Sequence, residues 1–133
     1  MRSQRSIVDY ALRRRAVLAD VAAGRTAVDD VCDPHPDLLR AARYHGESAS
    51  ASCPICQHGH LTHVKYVYGD ELGRYVGRVK QTDELAEMAR QYSEFRVYVV
   101  EVCRACGWNH LTMSYLLGTG GPCDHRQRRT GRT

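Results

Sequence analysis

Two short cysteine motifs carry the most evident chemistry in this sequence. Cys53 and Cys56 form the first, Cys103 and Cys106 form the second, and the two motifs are offset by 50 residues. Two residues between cysteines let a tight turn, here called a knuckle, aim both sulfurs at one metal ion about 2.3 Å away. Two knuckles complete a tetrahedron. The sequence therefore predicts one structural Zn²⁺ held by four thiolates, a ligand set that also admits iron.

The two knuckles are halves of an internal repeat. In each half the tripeptide His-Leu-Thr begins four residues after the second cysteine, at His60 and at His110. Because four thiolates already saturate zinc, we predict that these histidines support the site from outside it, through hydrogen bonds to sulfur or backbone. Each knuckle is also expected to adjoin a strand, as in a zinc ribbon.

A closed set of four ligands disfavours catalysis. Catalytic zinc keeps an open coordination position and usually has a carboxylate base nearby. The zinc deaminase signature requires Pro-Cys-x-x-Cys, whereas here the proline follows Cys53. We therefore expect a binding module and not an enzyme. One alternative is a redox-sensing zinc protein, whose thiolates oxidise and release the metal.

The net charge of +4 is concentrated at the C-terminal end. Residues 119–133 carry four arginines against one aspartate, a net of +3, which leaves +1 for residues 1–118. Bulk charge on the body is thus a weak argument for nucleic-acid binding. We predict a disordered basic tail over 119–133 that offers Arg126, Arg128 and Arg129 to a partner or to nucleic acid.

The segment before the first knuckle has helical periodicity. Residues 5–23 carry an apolar stripe, Thr26 resembles the cap of a short second helix, and Asp33 with the following proline begins a third helix that runs to about Tyr44. The small polar residues of 46–52 indicate a linker. Cys32 is expected to fill a buried position, and a second metal site built from Cys32 or Cys123 is not expected.

The segment between and beyond the knuckles alternates with period two. This pattern predicts an α+β protein in which an N-terminal helical unit (1–46) precedes a four-stranded antiparallel zinc-ribbon domain (47–118). An inserted hairpin and helix account for the 46 residues between Cys56 and Cys103. The predicted strands are 62–68, 74–79, 96–102 and 110–117, with a helix over 82–92 capped by Thr82.

Composition along the chain also bears on location. No run of about 18 apolar residues occurs, and the N-terminus leads into an amphipathic stretch instead of an apolar signal core. Paired cysteines without an export signal favour metal binding over disulfides. We therefore expect a cytoplasmic protein that does not contact membranes. Trp108, inside the second knuckle, is a candidate for contact with a partner, and packing over the ribbon is the alternative.

Five stretches resemble an uncharacterised family of small actinobacterial zinc-ribbon-like proteins. They are residues 8–13, 38–46, 61–70, 97–103 and 106–111, and the resemblance covers 5–121. That family has no assigned activity, so it implies little about function. The knuckles are also similar to zinc ribbons of transcription and translation machinery, which favours an adaptor or regulator on a complex such as RNA polymerase or the ribosome. Direct binding of RNA or DNA is the alternative.

Overall fold

A single antiparallel sheet organises the computed structural model, which describes residues 4–120. Its five strands are β1 (Arg5–Asp9), β2 (Glu47–Ser52), β3 (His60–Tyr68), β4 (Phe95–Cys103) and β5 (Asn109–Leu117). They lie in the spatial order β1-β5-β4-β3-β2, so the valine-rich strand β4 is central. The helices of the N-terminal unit and the helix after β3 complete an α+β fold, as predicted. Between β1 and β2 lie the helices α1 (Ala11–Ala22), α2 (Val28–Val31) and α3 (Pro36–His45), and between β3 and β4 lie a 3-10 helix (Asp70–Tyr75) and α4 (Thr82–Gln91).

Helices cover both faces of the sheet because successive strand residues point to opposite sides. On one face, Leu85 and Ala89 of α4 pack in a core cluster with Val67 and Val97. On the other face, Ala42 of α3 packs in a second cluster with residues of β3 and β4. A third cluster joins α1 and α2 to the two knuckles at one end of the sheet.

The N-terminal strand corrects the predicted helix over 5–23. Residues 5–9 form β1, which pairs with β5 and places Val8 opposite Ser114. The helix begins only at Ala11, whose backbone N–H donates to the Asp9 carboxylate at 2.8 Å. Pairing with the backbone groups at the edge of β5 outweighs the local helical periodicity. The predicted sheet of four strands therefore has five, and the domain division at residue 46 stays a prediction.

The segment predicted as a linker is the edge strand β2. It pairs antiparallel with β3, with Glu47 opposite His63. Small residues suit this segment because the chain enters β2 close to β3: a Cβ on Gly46 would stand 2.2 Å from Cγ2 of Thr62. The Ser and Ala residues that resembled a linker therefore belong to an exposed strand whose backbone lies close to β3.

The hairpin predicted after the first knuckle is also wrong in its second strand. Residues 70–75 form a 3-10 helix that buries Leu72 in the cluster beneath α4. Burial of Leu72 requires the chain to curl back onto the sheet, so 74–79 does not extend as a strand. The return segment contacts β3 through one bridge, between Val79 and Tyr66, and through backbone hydrogen bonds of residues 77–80 with Lys65 and Val67.

The helix starts differ from the predicted caps. No side chain caps α2, so Thr26 does not have the predicted role, and His35 accepts the backbone N–H of Asp37 at the start of α3, two residues after the predicted start. At α4, the backbone N–H of Gln81 donates to Glu84 at 2.8 Å, as in a capping box. The Thr82 hydroxyl instead binds Glu47.

Glu47 joins β2, β3 and the start of α4 through one carboxylate. Lys65 donates to it at 2.8 Å, and the hydroxyl and backbone N–H of Thr82 donate at 2.8 and 3.1 Å. Burial opposes ionisation of this carboxyl, but the bonds from Lys65 and Thr82 outweigh it and lower the pKa of Glu47 below its ordinary value of 4.5. A lowered carboxyl pKa stabilises the fold above the unfolded pKa, and that stability is lost as pH falls through the folded pKa.

We expect Glu47→Gln to lower the free energy of unfolding at pH 7 by about 1 kcal/mol, because a partly exposed ion pair and its hydrogen bonds are replaced by weaker bonds. The difference from wild type should shrink as the pH falls through the lowered pKa of Glu47 in the folded protein, and it should vanish once the wild-type carboxyl is also neutral. Urea unfolding of both proteins across this pH range measures it. Glu87→Gln, which removes an exposed pair with Arg90 on α4, is the matched control and should change little. An equal effect of both substitutions would contradict the assignment.

Within residues 4–120, none of the helices has the length and apolar content required to cross a bilayer.

Candidate metal centre

The four repeat cysteines converge at one end of the sheet. Their sulfurs all lie within 4.8 Å of one another, and the two pairs that cross between knuckles, Cys53 with Cys106 and Cys56 with Cys103, are 3.6 and 3.7 Å apart. Metal–sulfur bonds of about 2.3 Å in a tetrahedron give sulfur–sulfur edges of about 3.8 Å. The sulfurs therefore stand near the spacing that a tetrahedral ion needs, and the group contains cysteines alone among the described residues.

The knuckles share backbone geometry as well as sequence. Gln57 and Gly107 occupy equivalent places in the repeat, and both have positive φ, +61° and +94°. In both knuckles this residue's N–H bonds back to the carbonyl of the first cysteine, to Cys53 at 3.1 Å and to Cys103 at 2.8 Å. The left-handed conformation closes each turn, and glycine adopts it without the steric cost that Gln57 carries.

Backbone N–H groups of the knuckles point at sulfur. Ile55 donates to Cys53 at 3.3 Å, and Gly59 donates to Cys56 at 3.4 Å. In the second knuckle the N–H of Trp108 donates to the sulfur of Cys106 at 3.4 Å. Such donors stabilise the negative charge of thiolates that bind a cation.

The thiols of the cluster differ in acidity. Hydrogen bonds from the backbone N–H groups of Gly59 and His58 lower the pKa of Cys56 to about 6. Burial raises the pKa of Cys53 and Cys103, and it raises that of Cys106 to about 11. Four thiolates at neutral pH therefore require a cation among them, because burial otherwise favours the protonated sulfurs.

Gly59 lies against the cluster, where a side chain does not fit. A Cβ at this position would stand 2.6 Å from the sulfur of Cys103 and 3.1 Å from Cβ of Ala105. The chain between the first knuckle and β3 thus passes directly over a sulfur of the second knuckle. The repeat gives no signal for this contact, since Asn109 occupies the place equivalent to Gly59.

We expect Gly59→Ala to weaken metal binding by about 10- to 100-fold, the range seen when groups that support metal ligands are altered. The added methyl group must displace a sulfur or the β3 entry, and either movement distorts the tetrahedron. Competition with a chromophoric zinc chelator measures the affinity. Gly24→Ala is the control for a general loss of stability: its φ of +77° makes an alanine strained, but a Cβ there meets no atom within 4 Å, so zinc affinity should not change. Unchanged affinity in Gly59→Ala would show that the site tolerates this methyl group.

Trp108 is fully buried, so the contact with a partner is wrong and the alternative, packing over the ribbon, holds. Its indole Nε1 donates to Oε2 of Glu101 at 2.7 Å, and Nε of Arg14 donates to the same oxygen at 2.7 Å. Glu101 is itself buried in the central strand. This triad ties α1 to β4 and to the second knuckle, and the buried indole fills the space beside the cysteines.

The two histidines of the repeat have different surroundings. His110 stacks on the Trp108 ring, with centroids 5.8 Å apart and planes at 10°, and it bonds to the backbone of Tyr10. Burial lowers the pKa of His110, which favours the neutral imidazole. His60 is exposed, which differs from its predicted supporting role, because the alternation of β3 turns Leu61 and not His60 into the core.

A fifth sulfur stands beside the cluster. Cys32, at the end of α2, places its sulfur 3.8 Å from that of Cys106. The prediction that Cys32 fills an interior position holds only in part, since it is half-buried and packs against the knuckles. Cys123, Arg126, Arg128 and Arg129 lie outside the described residues, so the predicted contacts of the tail stay predictions.

Comparison with known proteins places the chain among relatives without an assigned activity. A family profile described as a family of unknown function, DUF5318, matches residues 1–131. The chain belongs to this family. It is 51% identical over 115 residues to the uncharacterized proteins Rv0049 of Mycobacterium tuberculosis H37Rv and Mb0050 of Mycobacterium bovis, a match that covers 86% of this chain and 84% of each relative. No solved structure matches it. The predicted resemblance to an uncharacterised family is confirmed.

The pairing of Glu101 with Arg14 was not predicted, although both residues left a signal in the sequence. Glu101 is a carboxylate among the otherwise uncharged residues 97–103, and such a residue needs a partner when it is buried. Arg14 interrupts the apolar stripe of α1 and supplies that partner. The contact between Cys32 and Cys106 joins residues 74 apart in sequence, and no spacing pattern indicates it.

Proposed function

We propose that this protein is a non-enzymatic binding module in which one structural Zn²⁺ joins the two knuckles. The observation that supports this best is the near-tetrahedral spacing of four sulfurs on two matching turns, each with backbone N–H groups directed at sulfur. The ion would link the strands at one end of the sheet, so that metal binding and folding are coupled. Its role is structural because four thiolates leave no coordination position for water.

The surroundings of the cluster also favour a structural site. Cys53 and Cys103 are buried, and the side of the cluster near Trp108 is filled by its indole. The tripeptide at 45–47 has the His-x-Glu pattern of a catalytic base, but His45 is exposed and Glu47 is held by Lys65 and Thr82. This carboxylate therefore connects β2 to β3 and α4 through hydrogen bonds.

We assign contact with a partner to an open groove on the sheet face that also carries α3. The groove has a volume of about 490 Å³. Aliphatic and aromatic side chains at the surface of a stable fold suit a protein partner that inserts apolar side chains. Here this surface is called the tyrosine groove, and it is lined by Tyr66, Tyr68, Tyr98, Val100 and Leu111.

The class of partner rests on the similarity of the knuckles to zinc ribbons of transcription and translation machinery. We propose an adaptor or regulator on a complex such as RNA polymerase or the ribosome. We propose a cytoplasmic location, because the four thiolates that the metal requires are kept reduced there.

Direct binding of RNA or DNA is the second candidate, and one surface favours it. The guanidinium groups of Arg74 and Arg78 lie 5.3 and 5.6 Å from the ring centre of exposed Tyr75. A ring flanked by cations can stack on a base while the arginines contact phosphate.

Affinity purification from cells tests the adaptor, with and without nuclease. We expect subunits of RNA polymerase or the ribosome to co-purify with the wild-type chain, to resist nuclease, and to be lost with Tyr68→Ala. Tyr44→Ala removes an exposed tyrosine outside the groove and should retain the partner. Loss of all partners on nuclease treatment, with direct binding of single-stranded RNA that Tyr75→Ala weakens, would favour the second candidate. Metal analysis of the same eluate should find one zinc per chain.

A further inference from the structure

The thiol of Cys32 touches the metal centre without belonging to its four ligands. We propose that Cys32 and Cys106 form an oxidation site: a hydroperoxide oxidises Cys106, Cys32 captures it as a disulfide, and the zinc ion is released. The inference rests on the proposed zinc site and adds a modification to it.

The distance between the two sulfurs suits this reaction. Cys106 lies between two thiols, with its sulfur 3.6 Å from Cys53 and 3.8 Å from Cys32. A disulfide bond is about 2.05 Å long, so the Cys32 and Cys106 sulfurs must approach by roughly 1.8 Å. Side-chain rotation and a small loop movement would produce this approach, since the sulfurs are already in van der Waals contact.

Backbone packing holds the Cys32 segment in place. A Cβ on Gly107 would stand 2.6 Å from the carbonyl oxygen of Cys32 and 3.0 Å from Cδ of Pro34. The segment that follows α2 is therefore pressed against the turn of the second knuckle. Val31 and Cys32 also pack in the same cluster as the knuckle cysteines. The contact between sulfurs thus belongs to a packed interface between the N-terminal unit and the knuckle.

Among the five described cysteines, Cys32 is the one that a tetrahedral ion leaves free. Cys53 and Cys103 are buried, whereas Cys32 and Cys106 are half-buried and reachable by a small oxidant. Cys56 is also half-buried, but its sulfur neighbour Cys103 is a ligand, and a disulfide between them would remove two ligands at once. Oxidation of Cys106 by way of Cys32 removes one ligand.

The chemistry balances with hydrogen peroxide as oxidant. The Cys106 thiolate attacks one peroxide oxygen, the O–O bond breaks, and the departing hydroxide takes a proton from solvent to become water. Cys106 is then a sulfenic acid. The Cys32 thiol attacks its sulfur, the S–O bond breaks, and the hydroxyl group leaves as a second water with the thiol proton. Two thiol sulfurs are oxidised by two electrons in total, and one peroxide is reduced to two waters.

Release of the metal follows because three thiolates hold zinc less well than four. Since the ion links the two knuckles, its loss loosens the end of the sheet on which α1 and α2 pack. Reduction of the disulfide restores the fourth thiolate and permits zinc to bind again.

The test uses the full reduced chain loaded with zinc and treated with hydrogen peroxide. A chromophoric chelator follows zinc release, and mass spectrometry of unreduced peptides identifies the disulfide. We expect wild type to release its zinc, to yield a peptide pair cross-linked through Cys32 and Cys106, and to recover its zinc after dithiothreitol. Cys32→Ser should bind zinc normally when reduced but fail to recover it after peroxide, because the unprotected sulfenic acid oxidises further. Cys123→Ser is the matched control and should behave as wild type.

The outcomes separate the two proposals. A reduced wild-type protein without zinc overturns the metal site and this inference together. A zinc-loaded protein whose Cys32 stays a free thiol after peroxide, or whose Cys106 pairs with Cys53 or Cys123, overturns this inference alone. Loss of zinc from reduced Cys32→Ser would also overturn it, since Cys32 would then be a ligand; Cys32→Ala repeats that measurement without a hydroxyl group.

Discussion

Replacement of Cys53 by serine should abolish zinc binding and cooperative folding together. The substitution removes one of four thiolates from a buried position. We expect loss of at least about 5 kcal/mol of stability, which is comparable to the whole stability of a small domain. Zinc content and thermal unfolding followed by circular dichroism measure the two effects in the same sample.

Cys32→Ser provides the control for this prediction. It also replaces a thiol by a hydroxyl group, but at a cysteine that lies 3.8 Å from a ligand and is not one itself. The reduced variant should therefore keep its zinc and its unfolding transition. A Cys53→Ser protein that stays folded with a full complement of zinc would contradict the assignment of the ligands. Equal losses in both variants would show a site that depends on five cysteines.

Arg14→Met should destabilise the protein by about 2–4 kcal/mol, although Arg14 touches no cysteine. Its guanidinium is the cation that pairs with the buried carboxylate of Glu101, and its removal leaves that charge with only the Trp108 indole as donor. Breaking one partner of a buried pair is costly because the other charge stays desolvated. Urea unfolding of the zinc-loaded variant measures the change in free energy.

Neighbours on α1 supply the matched control. Arg13 and Arg15 are exposed, so Arg13→Met should cost less than about 0.5 kcal/mol. Adding Glu101→Gln to Arg14→Met should recover part of the loss, because the uncompensated charge is gone. If Arg14→Met and Arg13→Met have equal effects, or if Glu101→Gln adds fully to Arg14→Met, the triad does not stabilise the protein as described.

The cluster of four cysteines is the part of the molecule that the sequence predicts best. Metal binding needs particular residue types at a short spacing, and the repeat shows both the cysteines and their spacing. The strongest strand, at 96–102, was equally apparent because β-branched residues dominate it. The first knuckle is followed by β3 and the second follows β4, in agreement with the expectation that each knuckle adjoins a strand.

The edges of the sheet could not be predicted in the same way. β1 reads as part of a helix and β2 as a linker, yet both become strands because they pair with partners far along the chain. Pairing at an edge depends on free backbone groups of the neighbouring strand, and these leave no trace in the edge sequence itself. Leu72 likewise turned a predicted hairpin into a 3-10 helix by entering the core.

Contacts around the cluster were missed for a related reason. Trp108 sits within a knuckle where exposure is common, but Glu101 from the central strand accepts its indole N–H and makes burial favourable. Cys32 has no spacing relation to the knuckles and reaches them only because α2 packs there. Both contacts depend on tertiary packing between the N-terminal unit and the sheet.

Zinc K-edge X-ray absorption on the protein purified from cells would identify the bound metal and its ligands directly. A closed site of four cysteines predicts one zinc per chain, with four sulfur neighbours at about 2.3 Å and no nitrogen or oxygen in the coordination shell. Absence of a bound metal, or a shell that contains imidazole nitrogen or water, would contradict the structural thiolate site on which the proposed function depends.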